Sequence, residues 1–391
     1  MPAEIVVIGG GLHGCSAALH LASEGYKVTV LEKDYVGRHA SGVNAGGVRR
    51  LGRHPAEIPM SMLAWERWNR MKEIVGDDCG FRPVGQVMVA ENDTDLELLQ
   101  ERENLIKSMG FNHEMMISKN RLNKMIPDVA PSCSGALLCE GDGYANPYQT
   151  VIAWKCEAEK RGAVFCERES VQDIDKKSSG WCVATNLKTY EADIVINCSG
   201  AWASEICDKI EEPVPVSPES LMLMVTERLS KFLTPVVSAT SRPLSFKQFE
   251  NGTTVIGGGI KGRFDTELQV AETQLTGLAD NADTVVSLFP FMDKVKIVRA
   301  WAGVEGCLPD NIPVLGPSNK HDDFYHAFGF SAHGYQLSPI TGEILVDLIK
   351  GKESRVSISS FSISRFSGSA SYSQPEYNES SFLAKVPTGD I

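Results

Sequence analysis

The chain has 391 residues, of which 42% are hydrophobic, and its formal net charge is -12. That length and apolar content suffice for one large or two intermediate domains with a sizeable core. The acidic balance argues against a general affinity for nucleic acid or for an anionic membrane surface, since both attract basic faces.

The start of the chain is not typical of a signal peptide, because residues 1–4 carry no basic side chain and glycines interrupt the next apolar run. No stretch of 18 uncharged apolar residues occurs, so we expect no membrane span. The ten cysteines are scattered and form no C-x-x-C pair. This pattern favours reduced thiols in a cytoplasmic protein, without a disulfide framework or a metal site.

The first predicted element is a strand over residues 5–8, a β-branched apolar run typical of strands that are buried on both faces. Residues 9–14 (GGGLHG) then fit the G-x-G-x-x-G pattern. Small apolar residues after this pattern predict a helix that ends near Gly25. Residues 28–32 (VTVLE) predict a second strand, which closes with Glu32.

Each part of this segment has a physical role if the protein binds a dinucleotide. Gly9 allows the tight turn, Gly11 lets the backbone approach the pyrophosphate, and Gly14 lets the helix and strand pack closely. The N-terminus of the helix supplies N–H groups and a partial positive charge for the phosphates. Glu32 lies 21 residues beyond Gly11, where its carboxylate can accept hydrogen bonds from both ribose hydroxyls.

A second match to the glycine pattern lies at residues 257–262 (GGGIKG), after a strand-like run at 253–256. It is followed by residues 263–266 (RFDT), with neither a small apolar helix nor a second strand that ends in an acid. We therefore interpret this second match as a turn that leaves a strand.

The remaining predicted elements follow the periodicities of amphipathic helices and buried strands. They are helices over 60–75, 94–109 and 340–349, and strands over 192–198, 244–249, 253–256 and 324–330. Pro339 suits the first turn of the last helix, because it lacks an N–H group. Strand patterns alternate with turns between about 210 and 320, which predicts a mixed or antiparallel region that covers a substrate. The Ser-rich residues 367–391 are expected to be flexible or to contact a partner.

Several separated segments together resemble the FAD-dependent D-amino-acid oxidase and sarcosine oxidase family. They are the fingerprint at 9–14, residues 197–203 (NCSGAWA), residues 299–303 (RAWAG) with 309–316 (PDNIPVLG), and residues 329–339 (GFSAHGYQLSP). The resemblance covers about residues 3–366. With residues 44–49 (NAGGVR), the last segment is most similar to sarcosine oxidases, the β subunits of heteromeric sarcosine, proline and hydroxyproline dehydrogenases, and opine oxidases.

The resemblance implies an α/β fold with a glutathione-reductase-type, Rossmann-like FAD domain and a mixed-sheet substrate domain. The FAD domain is expected to be assembled from residues 1–90, 145–212 and 322–366. The substrate domain is expected to comprise residues 91–144 and 213–321. A single convincing nucleotide fingerprint fits a permanently bound flavin, which needs no second nucleotide site.

The activity implied by the resemblance is oxidation of the C–N bond of an amino acid, by hydride transfer from Cα to flavin N5 and hydrolysis of the imine. A secondary amine such as sarcosine, a proline derivative or an opine is the expected substrate. One alternative is a flavin-bearing subunit or assembly factor with little catalysis of its own. Another is a hydroxy-acid or glycerol-phosphate oxidase on the same fold. Both a homo-oligomer and a complex with a partner subunit are compatible with the sequence.

The expected cofactor-binding residues belong to the fingerprint, to the loop after the second strand and to the later family segments. They are Gly9, Gly11, Leu12, His13, Gly14, Glu32, Lys33, Ser41, Ala45, Gly46, Gly47, Val171, Ser199, Gly200, Trp202, Gly303, Gly329, Gly334, Tyr335, Gln336 and Leu337. Monomeric sarcosine oxidases anchor their flavin through a cysteine near the position of Gly303, which this chain lacks. We therefore expect non-covalent FAD and interpret Cys307 as a small buried hydrophobe.

The expected catalytic residues are Arg49, Arg50, Arg299 and His333. Arg49 or Arg50 offers a planar guanidinium to a phosphate or to the substrate carboxylate, and the match to the family arginine is stronger for Arg49. Arg299 begins the R-x-W-A-G segment, whereas His333 is either catalytic or a packed structural residue. Monomeric sarcosine oxidases carry a carboxylate-binding lysine at the position of Gln336, so here the carboxylate needs another partner or the substrate differs.

Three further charged residues have a structural interpretation. Arg242 and Lys247 fall in the expected substrate domain, and ordinary ion pairs account for both. Asp310 follows Pro309 in a turn, where its side chain is expected to bond to the backbone.

Overall fold

The computed structural model describes residues 3–367, and residues 368–391 of the Ser-rich segment lie outside this range. The described helices are α1 (Leu12–Ser23), α2 (Ala40–Val43), α3 (Ile58–Trp68), α4 (Met71–Val75), α5 (Asp93–Ser108), α6 (Lys119–Met125), α7 (Pro147–Lys160), α8 (Ala203–Lys209), α9 (Leu275–Leu288) and α10 (Gly334–Ile349). Short 3₁₀ helices lie at Pro55–Glu57, Gly200–Trp202, Pro290–Lys294, Ser359–Phe361 and Ile363–Phe366.

The described strands are β1 (Glu4–Ile8), β2 (Lys27–Glu32), β3 (Gly47–Val48), β4 (Gln86–Ala90), β5 (Met115–Ser118), β6 (Gly135–Cys139), β7 (Gly143–Tyr144), β8 (Val164–Glu167), β9 (Val171–Lys177), β10 (Gly180–Thr185), β11 (Thr189–Ala192), β12 (Ile194–Asn197), β13 (Ser217–Thr226), β14 (Val236–Ala239), β15 (Ser245–Gln248), β16 (Thr254–Gly257), β17 (Arg263–Asp265), β18 (Val270–Glu272), β19 (Ile297–Cys307), β20 (Val314–Pro317) and β21 (Phe324–Phe328). Most of them belong to two large sheets.

The first sheet has six strands in the order β20-β21-β12-β1-β2-β8. Its pairs are parallel, apart from the antiparallel pair between β20 and β21. Ile5 and Val7 of β1 pack towards α1, α7 and α10, while Val6 and Ile8 pack towards the small sheet of β9, β10 and β11. Because both faces of β1 are covered, its run is apolar at every position, as a buried parallel strand requires.

The second sheet has eight strands in the order β19-β13-β16-β15-β14-β4-β6-β5. Its pairs are antiparallel except for the parallel pair between β4 and β14. Buried residues of α6 and α9 pack on this sheet, including Leu122, Val285 and Leu288. The mixed sheet expected for the region after residue 210 is therefore present.

The sheets divide the chain slightly differently from the expected domain ranges. β4 pairs inside the eight-stranded sheet, although its residues fall within the range 1–90 expected for the FAD domain. β20 pairs inside the six-stranded sheet, although it falls within the range 213–321 expected for the substrate domain. If the domains are defined by the sheets, β4 therefore belongs with the substrate domain and β20 with the FAD domain.

The glycines of the fingerprint hold β1 and α1 in close contact. Gly9 has a φ of +105°, a region that favours glycine. A Cβ atom on Gly14 would lie 1.9 Å from the carbonyl oxygen of Gly9, so only a glycine lets the helix begin at Leu12 directly after the turn.

The second glycine match at residues 257–262 behaves as a turn, as predicted. β16 ends at Gly257, and the next two residues have φ values of +123° and +86°. The chain then enters the short strand β17 rather than a helix.

Helix α10 begins five residues earlier than Pro339 predicts, so the placement of this proline in the first turn is wrong. The structure tolerates Pro339 inside the helix because the carbonyl oxygen of Tyr335, which loses its usual N–H partner, accepts a hydrogen bond of 3.0 Å from the Ser338 hydroxyl. The side chain thus replaces the missing backbone donor.

Across residues 3–367, the helices are too short or too polar to cross a bilayer. The same part of the chain shows no group of three or more His, Cys, Asp or Glu side chains placed to hold a metal ion. All ten cysteines are free thiols.

We expect Gly14→Ala to lower the free energy of unfolding by at least about 2 kcal/mol, because the new methyl group would overlap the Gly9 carbonyl in a packed interior. Urea unfolding of the purified variant measures this loss. The control Ser23→Ala, at the exposed end of the same helix, should change the value by no more than about 0.5 kcal/mol. Equal losses in the two variants would contradict the close contact.

Candidate active site

A cavity of about 1630 Å³ lies between the two large sheets. Many of the predicted site residues line it, namely Gly9, Gly11, Leu12, His13, Glu32, Lys33, Ser41, Ala45, Gly46, Gly47, Arg49, Val171, Ser199, Gly200, Trp202, Gly303, Gly329, His333, Gly334 and Tyr335. Residues that are far apart in the sequence therefore line the same cavity. The predicted residues Gly14, Arg50, Arg299, Gln336 and Leu337 do not line it.

Glu32 stands at the fingerprint end of the cavity. One oxygen of its carboxylate accepts the Gly10 N–H at 2.7 Å and the other accepts the Asp34 N–H at 2.9 Å. Burial raises the pKa of Glu32, although these two backbone donors act in the opposite direction. Each oxygen keeps a further lone pair, so the carboxylate can also accept hydrogen bonds from a ribose.

Lys33 and Trp202 form the neighbouring wall. The Lys33 ammonium lies 3.3 Å from the centre of the Trp202 ring and donates to Gln269 at 2.8 Å. The flat indole and the cation leave an aromatic and positively charged surface near the acid of the fingerprint.

The loop over residues 44–47 is fixed from several sides. The Gly46 N–H donates to the Asn44 side chain at 2.7 Å, and the Ala145 N–H donates to the Gly46 carbonyl at 2.8 Å. The Lys247 ammonium donates to the Ala45 carbonyl at 2.5 Å from the side of the eight-stranded sheet. These contacts hold bare backbone at the cavity wall.

Lys247 is completely buried, and its ammonium donates to a carbonyl rather than to the carboxylate that an ordinary ion pair would require. Burial lowers the pKa of Lys247 to about 7, and the nearby charge of Arg49 acts in the same direction. Arg242 does form the expected ion pair, with Glu91.

Arg49, Arg53 and His333 line the cavity and form a charged cluster with Glu57. His333 Nδ1 lies 2.9 Å from a Glu57 carboxylate oxygen, and the Arg53 Nε donates to the Arg49 carbonyl at 2.8 Å. Burial lowers the pKa of His333, and the charge of Glu57 opposes this change. Burial alone would raise the pKa of Glu57, but the interactions with His333 and Arg53 outweigh burial and lower this pKa.

Arg50 and Arg299, two of the expected catalytic residues, do not line the cavity. The Arg50 Nε donates to Asp142 at 2.9 Å, and its guanidinium packs 4.1 Å from the centre of the Trp65 ring. A carboxylate that is distant in the sequence thus draws Arg50 away from the cavity. Arg299 is exposed on β19, where it pairs with Val225.

Gln336, Leu337 and Gly14 have structural positions. The Gln336 amide donates to the Ser61 carbonyl at 2.8 Å and accepts from the Ser61 hydroxyl at 3.1 Å, so it faces α3. Leu337 is buried in the core of the first sheet. Gly14 acts through its contact with Gly9 rather than at the wall.

Several cavity residues carry no signal that the sequence patterns could detect. They are Arg53, His54, Gln86, Met88, Met109 and Phe111. Residues 109 and 111, for example, follow α5 in a loop, and no local pattern ties that loop to the cavity. Glu305 also lines the cavity but is not among the expected site residues. The sequence does carry a signal for it, because it is an acid between Val304 and Gly306 on a strand with many small and apolar residues.

The residues present fit an FAD molecule. The glycine turn and Glu32 lie at one end of a continuous cavity, where they can hold a pyrophosphate and a ribose. Gly46, Gly329 and Gly334 expose backbone at other points of the cavity wall, which allows a flat ring to approach closely. Cys307 does not line this cavity, and it is partly rather than fully buried.

Comparison with known proteins supports the fold. A family model described as FAD dependent oxidoreductase (DAO) matches residues 4–348. The chain is 24% identical over 373 residues to glycine oxidase of Geobacillus kaustophilus, covering 93% of this chain and 97% of that protein. It is 24% identical over 375 residues to an opine oxidase subunit of Rhizobium meliloti, covering 93% and 96%.

Two solved structures have the same architecture. The crystal structure of the glycine oxidase from Geobacillus kaustophilus superposes with a TM-score of 0.86 at 23% identity, covering 94% of this chain and all of that chain (100%). The L-proline dehydrogenase from P. horikoshii gives a TM-score of 0.84 at 25% identity, covering 93% and 98%. The predicted α/β fold is therefore confirmed.

The depressed pKa of Lys247 predicts a pH-dependent stability. Between pH 7 and about 10.4 the unfolded chain keeps a proton that the folded chain has released, so the free energy of unfolding should rise with pH in this interval. The stability of the wild type relative to Lys247→Met should rise over the same interval, since the variant lacks this group.

Thermal unfolding of the FAD-loaded proteins between about pH 7 and pH 9.5 measures the difference, because most of the linked proton release falls in that range. The exposed lysine variant Lys72→Met serves as the control and should follow the wild type. If the difference in stability between the wild type and Lys247→Met stayed constant over this pH range, the lowered pKa of Lys247 would be refuted.

Proposed function

The chain belongs to the DAO family of FAD-dependent oxidoreductases, and from this membership we propose that it oxidises the C–N bond of an amino acid, in particular of a secondary amine such as sarcosine, a proline derivative or an opine. The observation that carries the proposal is the presence of Arg49 in the same cavity as the nucleotide fingerprint. The proteins named above act on glycine, opines or L-proline according to their names, and each of these compounds has a C–N bond next to a carboxylate.

The fingerprint end of the cavity is proposed to hold the nucleotide part of a non-covalently bound FAD. The turn at Gly9 and Gly11 and the first N–H groups of α1 face the pyrophosphate, and Glu32 accepts the ribose hydroxyls. When bound, FAD supplies an acceptor for the hydride that leaves the substrate Cα. The chain contributes binding, orientation and electrostatics.

The part of the cavity around Arg49 is proposed to bind the substrate. Arg49 presents its guanidinium to the substrate carboxylate, with which it can form two parallel hydrogen bonds. Gly334 begins the sixteen-residue helix α10 at the cavity wall, so the positive end of its dipole favours negative charge that develops there. The His333–Glu57 pair keeps the end of this helix in place.

A role within a larger, heteromeric enzyme is the second proposal, and the likeness to the opine oxidase subunit favours it. In such an assembly the chain would still carry FAD and the same cavity. Co-purification of a stable partner, with turnover only in the complex, would support this proposal.

Anaerobic mixing of the FAD-loaded chain with a panel of compounds tests the reaction. We expect at least one of sarcosine, L-proline or an N-carboxyalkyl amino acid to bleach the visible flavin band, because hydride transfer reduces the ring. Lactate and glycerol 3-phosphate serve as controls and should leave the band unchanged. The proposal fails if no amine bleaches the band, or if only the hydroxyl compounds do.

Loss of the Arg49 guanidinium should weaken substrate binding more than it slows turnover. We expect Arg49→Gln to raise KM about 10- to 100-fold, the equivalent of one lost charge-assisted hydrogen bond, with a smaller change in kcat. Arg299→Gln is the matched control and should keep the wild-type KM, because Arg299 is exposed and outside the cavity wall. The opposite ranking of the two variants would remove Arg49 from the site.

A further inference from the structure

Glu305 is an acid on the cavity wall with no assigned role in the proposed function. It lies on β19 between Gly303 and Gly306, and its side chain is half-buried, facing the cavity. One carboxylate oxygen accepts the Ala332 N–H at 3.0 Å. Within residues 3–367, no Lys, Arg or His forms an ion pair with it.

The nearby charges do not neutralise Glu305. Glu219 faces it across the strand pair β13–β19, which places two acids side by side. Lys261 lies 3.2 Å from Glu219 and is paired with that residue. Cys307, two residues further along β19, is a thiol whose pKa is raised by burial and by Glu305 itself.

The loop that binds Glu305 is held in an unfavourable backbone conformation. Ser331 and Ala332 have φ values of +48° and +66°, although neither is a glycine. The Ser331 hydroxyl accepts the Leu308 N–H at 3.1 Å and donates to the Gly329 carbonyl at 3.1 Å, which keeps the loop against the end of β19. Backbone strain of this kind is stored where a side chain or an N–H group must be aimed.

Arg49 and Glu305 are close to opposite ends of one short loop. Glu305 accepts the Ala332 N–H. The next residue is His333, and the positive charge of Arg49 contributes to lowering its pKa. The cavity thus presents a guanidinium and an unpaired carboxyl group on either side of residues 332–333. An amino acid in its zwitterionic form carries the complementary pair of charges.

We propose that Glu305 binds the amine nitrogen of the substrate and accepts a proton from it, which makes it a catalytic residue of the proposed amine oxidation. In this step an N–H bond of the substrate ammonium breaks, and its electron pair stays on nitrogen as a lone pair. The proton forms an O–H bond with the carboxylate oxygen that does not bond to Ala332. The inference rests on the proposed function, because it needs an amine as the substrate.

The ionisation of Glu305 fits this role. Burial raises the pKa of Glu305 to about 7, and the Ala332 N–H opposes only part of that shift. This half-buried carboxylate has no paired cation in the described part of the chain, so the arrival of an ammonium group would favour its ionised form. A base whose pKa lies near neutrality is also well suited to accept and later release a proton.

Binding of unreactive ligand pairs to the FAD-loaded enzyme tests the inference. One pair is 2-aminoisobutyrate and 2-hydroxyisobutyrate, and the other is 2-methylproline and 2-methyltetrahydrofuran-2-carboxylate. All four lack the Cα hydrogen that the proposed reaction transfers, so none can undergo that reaction, and perturbation of the flavin spectrum reports their Kd. Within each pair the carboxylate is kept and only the amine is replaced by oxygen.

We expect the wild type to prefer the amine member by about tenfold or more at pH 8 and to lose this preference towards pH 6, as Glu305 becomes protonated. Glu305→Gln should bind both members equally at every pH, with an unchanged Kd for the oxygen analogues and an unchanged FAD content. Glu305→Asp, which restores the charge, should regain part of the preference. The wild-type pH profile provides a measurement that does not depend on any variant.

Two results would overturn the inference. One is a wild type that does not distinguish the members of either pair or binds no amine, and the other is Glu305→Gln that keeps the preference and its pH dependence. Bleaching of the flavin by an amine together with either result would uphold the proposed function and reject only the role of Glu305. Failure of every amine to bleach, with intact Glu305-dependent binding, would reject the reaction instead.

Discussion

The contact between Gly14 and the carbonyl oxygen of Gly9 is the constraint on which the rest of the site depends. It allows α1 to start immediately beyond the carboxyl end of β1, so the N-terminus of the helix lies at the cavity wall, where the Ser41 hydroxyl accepts the Leu12 N–H at 2.9 Å. Glu32 reaches the same space because β2 is the parallel neighbour of β1. The cavity wall is then completed by backbone from distant segments, whose positions follow from the strand order.

The sequence was informative where structure depends on near neighbours. The order of strand, glycine turn, helix and acid within residues 5–32 is local, and so is the turn after β16, so both could be predicted. The start of α10 could not be predicted in this way. Pro339 leaves the Tyr335 carbonyl without its usual N–H donor, and the Ser338 hydroxyl replaces that donor, so the helix can begin before the proline. A local rule fails there because a side chain compensates for it.

The candidate site was harder to predict because its decisive contacts join distant parts of the chain. Arg49 and Arg50 are adjacent in the sequence, and Asp142, which is 92 residues away from Arg50, decides which of them faces the cavity. Lys247 was expected to pair with an acid, yet it bonds to the Ala45 carbonyl from another sheet. Glu305 is recognisable as an acid on a largely apolar strand, but the Ala332 N–H that it binds comes from a loop 27 residues later, so the sequence does not predict this contact.

The path of the chain between the two large sheets has a consequence for how a bound nucleotide is exchanged. The chain passes from the first sheet to the second and back twice. It leaves the first sheet after β2 and returns at β8, then leaves again after β12 and returns at β20. Four covalent crossings connect the two layers, so the layers can separate only as far as these segments bend or extend. The exchange of a ligand held between the layers is therefore coupled to movement of the connecting segments.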